Sequence, residues 1–172
     1  EQTIPNLLLF SPTPGTGKTS MVKILANALK ADVLYLNGSA REDRGIGAID
    51  EKVAKFVTNS SILGDDVRKI VFIDEADGLT IDAQKSLKSF IEKNAEHVRF
   101  IFTANNEYEF IDAMYSRFQK ISFELEPDEH KPMINSFMKR VVKILTEENI
   151  PFDEKVVFKI INDNFPDYRE VW

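Results

Sequence analysis

The segment Ser11-Pro12-Thr13-Pro14-Gly15-Thr16-Gly17-Lys18-Thr19 holds the residue types that a triphosphate requires. Closely spaced glycines let the backbone curl around phosphate oxygens without a Cβ in the way. Lys18 supplies a mobile cation for the outer phosphates, and the Thr19 hydroxyl can ligate magnesium. The N-terminus of a following helix adds unpaired N–H groups and partial positive charge. The usual phosphate-loop spacing has a glycine where Pro12 stands, so the first position of the pattern is not matched.

Two further groups follow apolar runs. Asp74-Glu75 comes directly after Ile70-Val71-Phe72-Ile73, and Asn105 closes Val98-Arg99-Phe100-Ile101-Phe102-Thr103-Ala104. Asp74 is suited to hold magnesium through water. Glu75 is suited to polarise a water for in-line attack on a γ-phosphate, and Asn105 to hydrogen-bond that water or the phosphate. An Asp-Glu pair also suits a helix start, and an Asn a loop cap. The phosphate loop upstream favours the chemical reading.

The surrounding pattern supplies elements to position these groups. Leu7-Leu8-Leu9-Phe10 predicts a strand covered on both faces. A helix is expected from about Gly17 to Leu29, with Met21, Val22, Ile24, Leu25, Ala28 and Leu29 as its apolar stripe. Val33–Leu36 predicts a second strand, then a loop at Asn37-Gly38-Ser39. A second helix carries Ile49, Val53, Phe56 and Val57, and Gly64-Asp65-Asp66 marks a surface turn. Ile70–Ile73 is a third strand; the helix after it carries Ala83, Leu87, Phe90 and Ile91. Val98–Phe102 is a fourth strand. A short helix around Ile111–Tyr115 leads to a fifth, Ile121-Ser122-Phe123. Alternation of strands and helices implies right-handed crossovers and a parallel sheet, an α/β fold. In such a sheet the carboxyl ends of the strands open onto one cleft, where the three polar groups converge.

After Pro127 the strands stop. Ile134, Phe137, Met138, Val141 and Leu145 mark one helix, and Val156, Val157, Ile160 and Ile161 another. The organisation expected is a core over residues 1–126 and part of a small helical domain over residues 127–172. The opening Glu1 and closing Trp172 read as the ends of a fragment.

At 172 residues with 43% hydrophobic content, the chain can bury an ordinary core. It has no apolar run long enough to span a bilayer and no signal-peptide pattern. The absence of cysteine excludes disulfides and thiolate chemistry and suits a cytoplasmic setting. His97 and His130 lie far apart and read as surface residues. A net charge of −6 leaves any nucleic-acid contact to a local basic face.

Pro14–Thr19, Phe72-Ile73-Asp74-Glu75-Ala76-Asp77, Thr103-Ala104-Asn105 and Ser116-Arg117 together resemble an AAA+ ATPase. The pattern is most similar to clamp-loader ATPase subunits, those of tailed phages and the replication factor C small subunits. Asn37-Gly38-Ser39 with Asp43-Arg44-Gly45-Ile46 carries that similarity, as do Asp82-Ala83-Gln84 with Leu87 and Ile91-Glu92-Lys93, and Phe165-Pro166-Asp167-Tyr168-Arg169.

The resemblance implies a P-loop AAA+ core of five parallel strands flanked by helices, followed by part of a helical lid. It implies ATP and magnesium as ligands, with Pro14, Gly15, Thr16, Gly17, Lys18, Thr19 and Ser20 around the nucleotide. Thr19 and Asp74 would hold the metal; Glu75, Lys18 and Asn105 would act in hydrolysis. Arg117 would be an arginine finger reaching a neighbouring subunit's site, although Phe118 replaces the cysteine of that motif. Arg169 would read the γ-phosphate from the lid. Arg44 and Arg41 would contact the DNA backbone. Lys52 and Lys55 are further candidates, and they also read as an ordinary solvated helix face.

The partners implied are other clamp-loader subunits in a pentamer, a sliding clamp and primer–template DNA, in a cytoplasm that is the host's if the gene is a phage's. ATP would drive loading of the clamp onto DNA, with turnover stimulated by both. Another AAA+ motor, such as a branch-migration helicase or an unfoldase, is one alternative; a non-hydrolysing nucleotide-binding subunit is the other. In this family an upstream segment helps hold adenine and a downstream collar holds the assembly together. The chain alone is therefore expected to be largely monomeric and a weak ATPase.

Overall fold

The computed structural model describes residues 4–42, 46–59 and 67–167. They divide into two compact units. The first comprises the described residues of Glu1–Pro12 and Gly17–Phe123, the second those of Thr13–Thr16 and Glu124–Trp172.

The first unit is a five-stranded parallel sheet in the order β2-β3-β4-β1-β5, with β1 Leu7–Phe10, β2 Asp32–Asn37, β3 Lys69–Asp74, β4 Val98–Ala104 and β5 Gln119–Ser122. Its helices are α1 Lys18–Ala28, α2 Ile46–Thr58, α3 Ile81–Lys93 and the short α4 Asp112–Tyr115. Short 3-10 turns at Ala76–Gly78 and Glu107–Glu109 follow β3 and β4.

Alternate residues of each central strand face opposite layers. Leu8, Val71, Ile73, Phe100 and Phe102 pack with Ile49 and Val53 of α2 and with Ala83, Leu87 and Ile91 of α3. Leu7, Leu9, Ile70, Phe72 and Ile101 pack with Val22 of α1. Both faces are covered, so the strands read as unbroken apolar runs in the sequence.

Three expectations shift. α1 starts at Lys18, because Gly17 adopts φ 95°, a left-handed conformation that precedes the helix. Met21 and Ile24 of α1 lie on its exposed side, at 46% and 64% exposure, so the buried stripe is narrower than the apolar pattern suggests. β5 lies earlier than the run Ile121-Ser122-Phe123, because pairing with β1 begins at Gln119 opposite Leu7. It is an edge strand whose residues are all exposed, so apolar content does not mark it. The turn expected at Gly64-Asp65-Asp66 falls outside the described residues.

In the second unit, α5 (Pro127–Glu147) packs on α6 (Glu154–Asp163) around Val141 and Ile161. Pro127 opens α5 behind a reciprocal cap between Glu126 and Glu129, which satisfies two backbone amides. Asn149 takes φ 56° just beyond α5 and turns the chain toward Pro151. His130 is half-buried here rather than a free surface residue, its ring 4.8 Å from that of Phe165. Thr13–Thr16 group with this unit: a Cβ on Gly15, whose φ is 76°, would stand 2.5 Å from the Cα of Asp167. That position admits only glycine.

Candidate nucleotide site

Strand ends in the first unit assemble the site. β1 ends at Phe10, and the next residue, Ser11, is buried and donates its amide to the Ala104 carbonyl at the end of β4. Lys18, the first residue of α1, is 9% exposed. Its ammonium donates to the Ser11 carbonyl at 3.2 Å and to Asn105 Oδ1 at 3.0 Å. The lysine thus bridges the start of the loop and the residue just past β4. A cation drawn that far out of water must keep strong acceptors around it.

The Thr19 hydroxyl points at the Asp74 carboxylate, 3.1 Å from both oxygens. On its other side Asp74 Oδ1 accepts a short hydrogen bond from the hydroxyl of Thr103. Thr103 is 1% exposed. Its Oγ1 also accepts from the Glu75 amide at 3.1 Å. One buried hydroxyl therefore fixes the carboxylate of Asp74 and the backbone of Glu75 together. The Thr103 role is a finding of the structure: within Val98–Ala104 a threonine reads as one more β-branched strand residue.

Glu75 is exposed and has φ 51° and ψ 45°. A residue with a Cβ rarely adopts this backbone, which persists only where neighbours over-determine it. Asp77 accepts from the amides of Asn105 and Asn106, each at 3.0 Å, and so holds the chain that leaves β4. In the loop, Pro14 is exposed and the Thr16 Oγ1 is buried without a hydrogen-bond partner, the one such side-chain atom among the described residues. Ser20 is exposed in the first turn of α1.

The donor set fits magnesium. Thr19 Oγ1 and Asp74 present adjacent hard oxygens, the ligand type that ion takes, and among the described residues neither thiolate nor histidine shares their place. Gly17, with its positive φ at the start of α1, and the Lys18 ammonium beside it fit a polyphosphate in the same way.

Other predicted residues stand apart from this cluster. Arg117 follows α4; its guanidinium forms an ion pair with Glu92 of α3 and donates to the Ala113 carbonyl and, at 3.2 Å, to Ser116 Oγ. Arg41 is exposed in the turn after β2. Lys55 pairs with Glu51 at 2.6 Å, and that hydrogen bond holds the Glu51 carboxyl below its ordinary value. Arg44 and Arg169 lie outside the described residues.

The family model of the ATPase family associated with various cellular activities (AAA) matches residues 8–125, the span that holds β2 to β5, all of β1 but Leu7, and the Asp74 and Glu75 carboxylates. The chain belongs to the AAA ATPase family. It is 36% identical over 171 residues to the sliding-clamp-loader large subunit of Enterobacteria phage T4, which covers 97% of this chain and 52% of that one. It is 35% identical over 173 residues to a replication factor C small subunit 1 of Pyrobaculum arsenaticum, covering 97% and 49%. The chain thus spans about half the length of the curated relatives it matches. Among solved structures, the RuvB Holliday junction branch migration motor of Thermotoga maritima superposes with a TM-score of 0.62 at 21% identity, covering 84% of this chain and 45% of that one. That likeness concerns the fold alone.

Proposed function

We propose that this chain is the nucleotide-binding part of a clamp-loader subunit that hydrolyses ATP to load a sliding clamp onto primer–template DNA. The observation that carries the reading is the convergence of Lys18 and Asn105, and of Thr19 and Asp74, beside Glu75 in a chain whose relatives are named clamp-loader and replication factor C subunits.

In this reading Pro14–Ser20 wrap the phosphates, and Lys18 exchanges its contacts to Ser11 and Asn105 for the outer phosphate oxygens. Thr19 and Asp74 hold magnesium, which neutralises phosphate charge when bound. Glu75 accepts the proton of the attacking water; the new bond forms between water oxygen and γ-phosphorus, and ADP leaves with the electrons of the broken bond. Asn105 orients that water or the γ-phosphate. Residues 127–172 form part of a lid, from which Arg169 contacts the γ-phosphate. Arg117 leaves Glu92 and reaches the site of a neighbouring subunit, where positive charge opposes the charge of the transition state. Comparable fingers contribute on the order of 10³–10⁵ in rate. Arg44 and Arg41 meet DNA phosphates, a contact that is sequence-independent and weakened by salt.

The test is ATP turnover by the full-length subunit, in its assembly with clamp and primed DNA, against Arg117→Ala. Stimulation by clamp and DNA that the variant loses, with ATP binding retained, supports the reading. Turnover indifferent to both moves the function to another AAA motor, and absent turnover to a passive nucleotide-binding subunit.

A further inference from the structure

The turn after β2 and the turn after β3 are interlocked backbone against backbone. The Gly38 amide donates to the Asp74 carbonyl at 2.8 Å. Gly38 is buried, and a Cβ placed on it would stand 2.5 Å from the Glu75 carbonyl oxygen and 3.0 Å from the Ala76 Cα. From the other side, a Cβ on Gly78 would stand 2.7 Å from Ser39 Oγ and 2.9 Å from the Gly38 carbonyl oxygen. The obstacles at Gly38 are main-chain atoms, which cannot swing aside as a flexible side chain can.

Glu75 sits inside this clasp. Its amide donates to Thr103 Oγ1 at 3.1 Å, its carbonyl accepts from the Gly78 amide at 2.9 Å, and Gly38 closes the remaining side of that carbonyl. Its left-handed backbone, φ 51° and ψ 45°, is thus restrained at both its amide and its carbonyl. The same torsions set where the carboxylate leaves the chain.

We propose that Gly38 is a positioning residue for Glu75: the missing side chain at 38 permits the approach that fixes the left-handed backbone at 75 and so aims the carboxylate. This rests on the reading of Glu75 as the base for the attacking water. A Cβ at 38 displaces the Glu75 peptide, rotates the carboxylate away from the water, and leaves Lys18 and Thr19, the residues next to the phosphates, where they are.

The test compares Gly38→Ala, Glu75→Gln and the double variant in the full-length assembled subunit. Folding is followed by circular dichroism, nucleotide binding with a fluorescent ATP analogue, and turnover at saturating ATP. Gly38→Ala is expected to lower kcat by about tenfold or more while KM and the nucleotide Kd stay within about twofold. The double variant is expected to be no slower than Glu75→Gln alone, because a misaimed base and an absent base are the same loss. Gly47→Ala, a helix position with open space around it, serves as the control with unchanged turnover. Wild-type kcat in Gly38→Ala, or a loss that multiplies with that of Glu75→Gln, overturns the proposal. Full turnover in Glu75→Gln overturns the reading beneath it, a result distinguishable from the first. Should Gly38→Ala not fold, Gly78→Ala strains the same clasp and is read in the same way. Unfolding of both assigns the glycines to folding alone and overturns the proposal.

Discussion

Replacing Thr103 with valine keeps the shape of the side chain and removes one hydroxyl. That hydroxyl is buried, donates to a carboxylate and accepts from the Glu75 amide. The bond to charged Asp74 contributes about 2 kcal/mol, and the Glu75 amide left without its partner costs about 1 kcal/mol more. The expected loss is therefore about 3 kcal/mol, a fall in Tm of about 6–12 °C for a chain of this size. Thr103→Ser keeps the hydroxyl and deletes a buried methyl, at a cost of about 1 kcal/mol. The two variants order oppositely under the two explanations. If the hydroxyl matters, valine is the worse replacement; if only packing matters, serine is. Urea unfolding followed by circular dichroism measures the order. Asp74 is also freed to rotate, so the affinity for magnesium-ATP is expected to fall about tenfold in the valine variant. A valine variant as stable as the wild type, or more stable than the serine variant, refutes the reasoning.

Other substitutions probe the same frame. Gln84 is 1% exposed, donates to the Glu109 carbonyl at 2.9 Å and accepts from the Ile111 amide at 2.9 Å, so Gln84→Leu strands both groups; we expect a loss of about 2–4 kcal/mol and faster amide exchange across residues 107–115. Lys69 donates to the Phe56 and Val57 carbonyls at 2.8 and 3.1 Å at the end of α2, with its ammonium 5.5 Å from the Phe56 ring centroid. Lys69→Met is expected to fray that end at a cost of about 1–2 kcal/mol, read from amide exchange in the last turn of α2. Asp77→Ala frees the amides of Asn105 and Asn106; we expect about 1 kcal/mol of destabilisation and a several-fold loss of turnover with the ATP Kd little changed, as the Asn105 side chain loses its registration.

The central strands were legible because burial on both faces leaves an unbroken apolar signature, as in Ile70–Ile73. β5 was less so: an edge strand obeys the hydrogen-bond register set by Leu7–Phe10, which no property of Gln119 or Lys120 announces. The polar residues at strand ends were found by type and position, and Lys18, Asp74 and Asn105 do meet partners from distant segments. What could not be read is what depends on torsion or long-range pairing. Nothing marks Glu75 as left-handed, since that backbone favours glycine. Nothing marks Thr103 as the link between Asp74 and Glu75, or Glu92 as the partner of Arg117.

β1 lies between β4 and β5, with Leu7 opposite both Ile101 and Gln119. On a ribosome, the phosphate loop is therefore translated well before the strand beneath it has anything to pair with. Four apolar residues must wait through the synthesis of three other strands, and closing contacts over such separations is slow. A nascent chain halted after β3 carries the whole loop sequence but cannot shape it. The first part of the nucleotide site to be made thus gains its strand partners only once β4 and then β5 have been made, and a chaperone that shelters Leu7–Phe10 would act in that interval.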